Sequence, residues 1–154
     1  MNNTKIVKIE LIETGIIRRK TEIEQERNIA IGDLLSDNYF ALFNHIGGYE
    51  LQLGIIDGKL NIFVSGENML KDYSINIAIS QFRAIIKDYY IICESYFAVS
   101  ASKDPYRLET IDMARRAIHN EGAELFKSEI SDYADLDFDT ARRLFTLMCV
   151  MLAR

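Results

Sequence analysis

After Tyr49 the hydrophobic period of the chain changes once, near Ser80, and this change constrains the fold more than any other feature. Between Tyr49 and Ile79 apolar and polar residues alternate, which is typical of half-buried strands. Asp57-Gly58 interrupts the alternation and is a strong signal for a two-residue hairpin turn. After Ser80 the apolar residues recur every three or four positions, as on one face of a helix. Strands followed by helices predict the α+β fold class.

The segment before this region predicts one further strand and one helix. Residues 6–12 alternate and predict a strand, and Thr21 with Glu24 has the spacing of a capping box at a helix start. We expect the first strand and a three-stranded meander to form a small antiparallel sheet, packed against this N-terminal helix and three C-terminal helices. Asp104 before Pro105 marks the start of one of those helices. No linker or composition break interrupts the 154 residues, so we expect a single α+β domain over residues 1–154.

The last predicted helix, capped by Asp137 or Asp139, is apolar nearly all round between residues 144 and 152. Such a helix is either central in its own chain or covered by a partner. The first alternative describes a monomer whose last helix runs through the middle of the helical layer. The second predicts a homo-oligomer or a protein partner that contacts the C-terminal helix, because obligate interfaces resemble a domain core cut in half.

Charge and cysteine usage exclude several classes of protein. With 18 basic and 23 acidic residues the net charge is −5, the wrong sign for a surface that attracts nucleic acid, and no nucleic-acid-binding motif is present. No apolar run is long enough to cross a membrane and no secretory signal opens the chain. Cys93 and Cys149 lie in apolar helical patterns, as buried thiols do. We therefore expect a cytoplasmic protein with no nucleic-acid or membrane partner.

A short phrase, Asp-x-Ala-Arg-Arg, occurs at residues 112–116 and again at 139–143. An acid three or four residues ahead of a base stabilises a helix by about 0.2–0.5 kcal/mol per pair, which alone explains the spacing. The planar fork of arginine also matches phosphate and carboxylate groups. Ion pairing and an anion site are thus both open. The candidate ligand-binding residues are Arg115, Arg116, Arg142 and Arg143.

Three residues are candidates for proton transfer: His119, Glu94 and Glu121. His119 follows the first arginine pair, and its ordinary structural alternative is a histidine that donates to a backbone carbonyl. Glu94 lies in a strongly apolar helical segment, so we expect it to be buried and paired with an arginine. His119 has no metal-binding residue three or four positions away, and the chain has no dinucleotide or phosphate-loop motif. We expect no metal and no cofactor.

Four stretches of the chain carry a family resemblance: residues 22–31, 88–96, 111–122 and 137–147. They resemble uncharacterised protein family 0262, a group of short alphaproteobacterial proteins of unknown function. The resemblance covers nearly the whole chain, is densest in the helical half and implies no activity.

The sequence favours a non-enzymatic protein that acts through protein–protein interaction or self-association. The alternative is a protein or enzyme that handles a small anion, phosphate or carboxylate, with the paired arginines and His119. The alternative requires arginines from different helices to converge with His119 on one concave pocket.

Overall fold

The strands lie mainly in the first half of the chain and the helices mainly in the second. The computed structural model describes residues 3–15 and 17–153. Its helices are α1 (Thr21–Ser36), α2 (Arg83–Ser102), α3 (Pro105–Ile130) and α4 (Phe138–Leu152). Its strands are β1 (Ile6–Leu11), β2 (Phe40–Leu42), β3 (Tyr49–Ile56), β4 (Lys59–Ser65), β5 (Tyr73–Ala78) and β6 (Ala134–Leu136). The predicted α+β class, with one N-terminal and three C-terminal helices, is confirmed.

The main sheet has the strand order β1-β3-β4-β5. Strands β3, β4 and β5 form the predicted antiparallel meander. Strand β1, however, pairs with β3 in parallel, so the prediction of an antiparallel sheet was wrong at this pairing. The reason is that α1 lies between β1 and β3 and returns the chain to the end at which β1 began, which makes the two strands run in the same direction.

A second, two-stranded sheet joins distant parts of the chain. Strand β2 pairs with β6 in antiparallel register, and Phe40 lies opposite Leu136. Each strand has only three residues, which is too short to produce an alternating pattern, so sequence reasoning did not find this sheet. The pairing fixes the segment before α4 against the segment after α1.

The turn and cap residues act largely as predicted. Asp57 and Gly58 both have positive φ angles, 52° and 72°, as a two-residue type I′ turn requires. The Asp104 side chain accepts hydrogen bonds from two backbone amides of the first turn of α3. At α4, Asp137 rather than Asp139 is the capping residue.

The capping box predicted at the start of α1 is not formed. Lys20 occupies the cap position and Thr21 is already the first helical residue, without a side-chain cap hydrogen bond. Glu24 instead lies 3.2 Å from the guanidinium of Arg19. The Glu24 carboxylate therefore pairs with Arg19 instead of accepting the backbone hydrogen bond that completes a capping box.

Helix α4 is central. It packs against α1, α3 and β3, and every residue from Leu144 to Val150 is buried. The apolar side chains of α4 are therefore covered within the chain, which removes the reason for expecting a partner at this helix. Neither α4 nor any other helix of the described residues has the length and apolar character that crossing a bilayer demands.

Helices α3 and α4 pack closely together at Gly122. A Cβ atom added there would lie 2.6 Å or less from three carbons of the buried Phe145 ring. Real Cβ atoms do not approach an aromatic ring so closely, and the ring is confined by the surrounding core. Glycine is therefore required at this position for α3 and α4 to pack at their observed separation.

Substitution of two helical glycines should have opposite effects on stability. Gly122→Ala should lower the free energy of unfolding by about 1–3 kcal/mol, because overpacking outweighs the gain in helix propensity. Gly32→Ala is the matched control: nothing lies within 4 Å of the added methyl group, so it should raise the free energy of unfolding by up to about 1 kcal/mol. Urea denaturation measures both. An unchanged or increased stability of Gly122→Ala would contradict the close packing.

Candidate functional site

A cleft of about 280 Å³ lies between α1, α3 and α4. All four arginines of the repeated phrases line it, two from α3 and two from α4, together with His119. Three carboxylates line it as well: Glu26 and Asp33 from α1, and Asp112 from α3. The convergence that the anion hypothesis required is therefore present in the geometry.

Glu26 is the buried carboxylate among the three that line this cleft. Its Oε2 accepts a hydrogen bond of 2.9 Å from Nη2 of Arg115. Its Oε1 accepts longer ones, 3.4 Å each, from the Tyr89 hydroxyl and the Cys93 thiol. Nε2 of His119 lies 4.0 Å from the same oxygen. Glu26 of α1 thus contacts both α2 and α3, and a buried carboxylate is stable only with such partners.

The prediction that Glu94 would be this buried, arginine-paired carboxylate was wrong. Its side chain is 70% exposed and its ion-pair partner is Lys20, at 3.8 Å. The adjacent Cys93 faces the core, and a residue one position along a helix is rotated by roughly 100° to another face. Glu26 lies three positions after Ile23 and four before Ala30, both buried. That spacing places Glu26 on the inward face of α1 and was the available signal.

Three of the four arginines are paired with carboxylates. Arg115 is held by Glu26, and its guanidinium also lies 4.9 Å from the centre of the Tyr96 ring. Arg116 lies 2.9 Å from Asp112, four residues earlier. Arg142 lies 3.5 Å from Asp139, three residues earlier. The local ion pairing that the repeated phrase predicts is therefore formed in both helices.

The fourth arginine of the cleft, Arg143, has a different environment from the other three. Within residues 3–15 and 17–153, no carboxylate lies within 4.0 Å of its guanidinium. Its Nη1 donates to the backbone carbonyl of Asp37 at 2.8 Å, and its Nε is buried without a hydrogen-bond partner. A guanidinium that has lost water at one N–H without gaining a partner carries an uncompensated desolvation cost. Arg143 is thus the arginine of the cleft whose charge an anion would balance.

His119 is buried with one nitrogen fixed. Its Nδ1 lies 2.9 Å from the backbone carbonyl of Arg115, which can only accept, so Nδ1 carries the proton. This is the structural arrangement expected for a single histidine. Burial lowers the pKa of the imidazole, and the positive charges of Arg115 and Arg142 lower it further, against the opposing effect of Glu26. At neutral pH the ring is therefore uncharged, and Nε2 carries a lone pair.

The third proton-transfer candidate, Glu121, lies outside the cleft, and the buried Cys93 is protonated. Glu121 is exposed and does not line the cleft. Burial, followed by the nearby charge of Glu26, raises the pKa of the Cys93 thiol to about 12, so Cys93 remains a protonated donor. The described residues contain no group of three His, Cys, Asp or Glu side chains placed to hold a metal ion. Of the three proton-transfer candidates, only His119 is in the cleft.

Removal of the buried charge should cost more stability than removal of an exposed one. Glu26→Gln should lower the free energy of unfolding by about 2–3 kcal/mol, because Arg115 loses its close partner in a partly buried position. Glu94→Gln is the matched control and should change it by no more than about 0.5 kcal/mol, since Glu94 is exposed. Chemical denaturation of both variants gives the comparison. Equal effects would contradict the central position of Glu26.

The protonation of His119 can be measured directly. We expect the pKa of His119 to lie below the ordinary value of about 6.5, with the proton of the neutral ring on Nδ1, because burial and two arginines disfavour the imidazolium. Two-dimensional ¹H–¹⁵N NMR of the imidazole nitrogens reports both properties. A His119 that titrates at or above 6.5 would contradict the arrangement.

Comparison with known proteins places the chain in a family. The model described as Uncharacterised protein family (UPF0262) matches residues 3–154. A UPF0262 protein of Paramagnetospirillum magneticum is 45% identical over 97% of this chain and 96% of its own length. Relatives from Rhizobium leguminosarum bv. trifolii and Rhodospirillum rubrum are 42% and 40% identical, over 94% and 97% of this chain and 92% of each relative. No solved structure gives a significant match. The resemblance expected from the helical segments is confirmed, and the chain belongs to UPF0262.

Proposed function

We propose that this protein binds a small anion, one that carries a phosphate or carboxylate group, in the cleft between α1, α3 and α4. The observation that carries the proposal is the convergence of arginines from two helices with His119 on one concave site. Ligand sites are concave and combine a few converging polar groups. The volume of about 280 Å³ is close to the lower end of the usual range and suits a small ligand.

The pairing of the arginines supports an anionic ligand. Four guanidiniums line the cleft, and three of them are paired with the carboxylates of Glu26, Asp112 and Asp139, the last of which does not line it. Arg143 is the arginine of this set with no carboxylate within 4.0 Å in the described part of the chain. A planar guanidinium binds phosphate and carboxylate through charge-assisted hydrogen bonds, which are about twice as strong as neutral ones.

A partner at the C-terminal helix has less support. The apolar side chains that suggested it are buried against α1, α3 and β3. We also propose binding rather than catalysis, because His119 is the only one of the three proton-transfer candidates that lines the cleft. A cytoplasmic location belongs to the same proposal, and the two buried, unpaired cysteines are consistent with a reducing compartment.

Arginine substitution in the cleft should weaken phosphate binding. Arg143→Gln should reduce the affinity for inorganic phosphate about tenfold or more, because a charge-assisted hydrogen bond contributes about 1.5–3 kcal/mol. Arg107→Gln is the matched control: Arg107 is exposed on α3, two turns before Arg115, and does not line the cleft. Isothermal titration calorimetry measures the affinities. A thermal-shift series with phosphate and small carboxylic acids identifies the preferred class, because a ligand that binds only the native state raises its melting temperature.

Two results would contradict the proposal. One is the absence of any saturable binding or thermal shift with phosphate and with carboxylates. The other is an equal loss of affinity in the Arg143→Gln and Arg107→Gln variants, which would indicate general attraction to positive charge rather than a site.

A further inference from the structure

The cleft offers hydrogen-bond acceptors beside its arginine donors. Nδ1 of His119 is held by the Arg115 carbonyl, so rotation of the ring would break a 2.9 Å hydrogen bond. Nε2 makes no hydrogen bond within the described residues, and it is not among the fully buried unpartnered atoms. Since His119 lines the cleft, the lone pair of Nε2 remains open to a ligand. Asp33, exposed at the rim, adds a second acceptor.

Such a mixture of donors and acceptors distinguishes two anions that arginines alone do not separate. Sulfate and hydrogen phosphate are both tetrahedral and both carry two negative charges. Sulfate has only acceptor oxygens at neutral pH, whereas hydrogen phosphate keeps one O–H donor. An acceptor that faces another acceptor in a dehydrated site loses its hydrogen bond to water and gains none. Sites that require a ligand hydroxyl reject analogues without it for this reason.

We propose that the cleft selects an oxyanion that retains an acidic proton, hydrogen phosphate rather than sulfate, because Nε2 of His119 accepts a hydrogen bond from that proton. The inference rests on the proposed anion-binding function and adds the identity of the selective group. The arginines provide attraction to either anion. The neutral imidazole discriminates between the two anions, because its lone pair faces only acceptor oxygens when sulfate is bound.

The surroundings of His119 determine when it can act in this way. From α1, the Glu26 carboxylate lies 4.0 Å from Nε2. From α2, the centre of the Tyr89 ring lies 5.6 Å from the centre of the His119 ring, with the two rings edge to face. The Cys93 thiol, also of α2, donates a hydrogen bond to Glu26. From α3 and α4, Arg115 and Arg142 add positive charge. These arginines and burial keep the ring neutral at neutral pH, whereas acid converts Nε2 from an acceptor to a donor.

The direct test compares inorganic phosphate with sodium sulfate by isothermal titration calorimetry, at constant ionic strength and about pH 7.5, where His119 is neutral. We expect phosphate to bind at least about tenfold more tightly than sulfate. In His119→Gln the ratio should fall to within about twofold, because a glutamine amide can rotate to present either its acceptor or its donor. His45→Gln, at the other histidine and outside the cleft, should leave the ratio unchanged.

The outcomes separate this inference from the function on which it rests. Equal binding of both anions by the unmodified protein, or an unchanged ratio in folded His119→Gln, would overturn the selectivity and leave anion binding intact. Binding of neither anion would overturn both. If His119→Gln does not fold, the affinities of the unmodified protein for the two anions, measured at several pH values, still test the inference. Acidification should strengthen sulfate binding and reduce the preference for phosphate, because His119 gains a proton. A ratio that stays constant with pH would overturn the inference.

Discussion

The carboxylate of Glu26 is the interaction on which the rest of the helical layer depends. It is a charge on α1 turned toward the interior, where it accepts hydrogen bonds from Arg115 of α3 and from Tyr89 and Cys93 of α2. A buried charge without partners would be costly, so three helices are constrained to meet at one carboxylate. The same residues line the cleft, where the guanidinium of Arg115 pairs with Glu26 and its backbone carbonyl orients His119.

The burial of α4 explains why the arginines face one another. The second half of this helix contacts α1, α3 and β3 through apolar side chains, so its orientation is fixed by the core. Arg142 and Arg143, nearer its start, are then carried to the same cleft as the arginines of α3. Local ion pairs neutralise Arg116 and Arg142, Glu26 neutralises Arg115, and Arg143 keeps its charge. The repeated phrase is therefore both a helix-stabilising pattern and the lining of a candidate anion site.

The sequence predicted the features that depend on local chemistry. The hairpin at Asp57-Gly58, the cap at Asp104 and the central or covered position of the last helix follow from turn geometry, capping and hydrophobic period. Features that depend on tertiary packing were not predicted. Glu94 and Glu26 both lie in helical segments, and although the spacing of Glu26 from Ile23 and Ala30 was a signal for burial, its pairing with Arg115 depends on how α1 and α3 pack. The parallel pairing of β1 with β3 likewise depends on the path of α1, and the isolation of Arg143 depends on the spatial positions of all nearby carboxylates.

The central claim is that an anion occupies the cleft beside Arg143, and the Nε–H signal of that arginine tests it most directly. This group is buried and unpartnered, so its resonance should be protected from exchange and sensitive to a nearby charge. Titration of inorganic phosphate, followed by ¹H–¹⁵N correlation of the arginine side chains, should produce a saturable shift at Arg143, with the exposed Arg107 unchanged. No shift at Arg143, or a similar non-saturating drift of all arginine signals, would contradict the account.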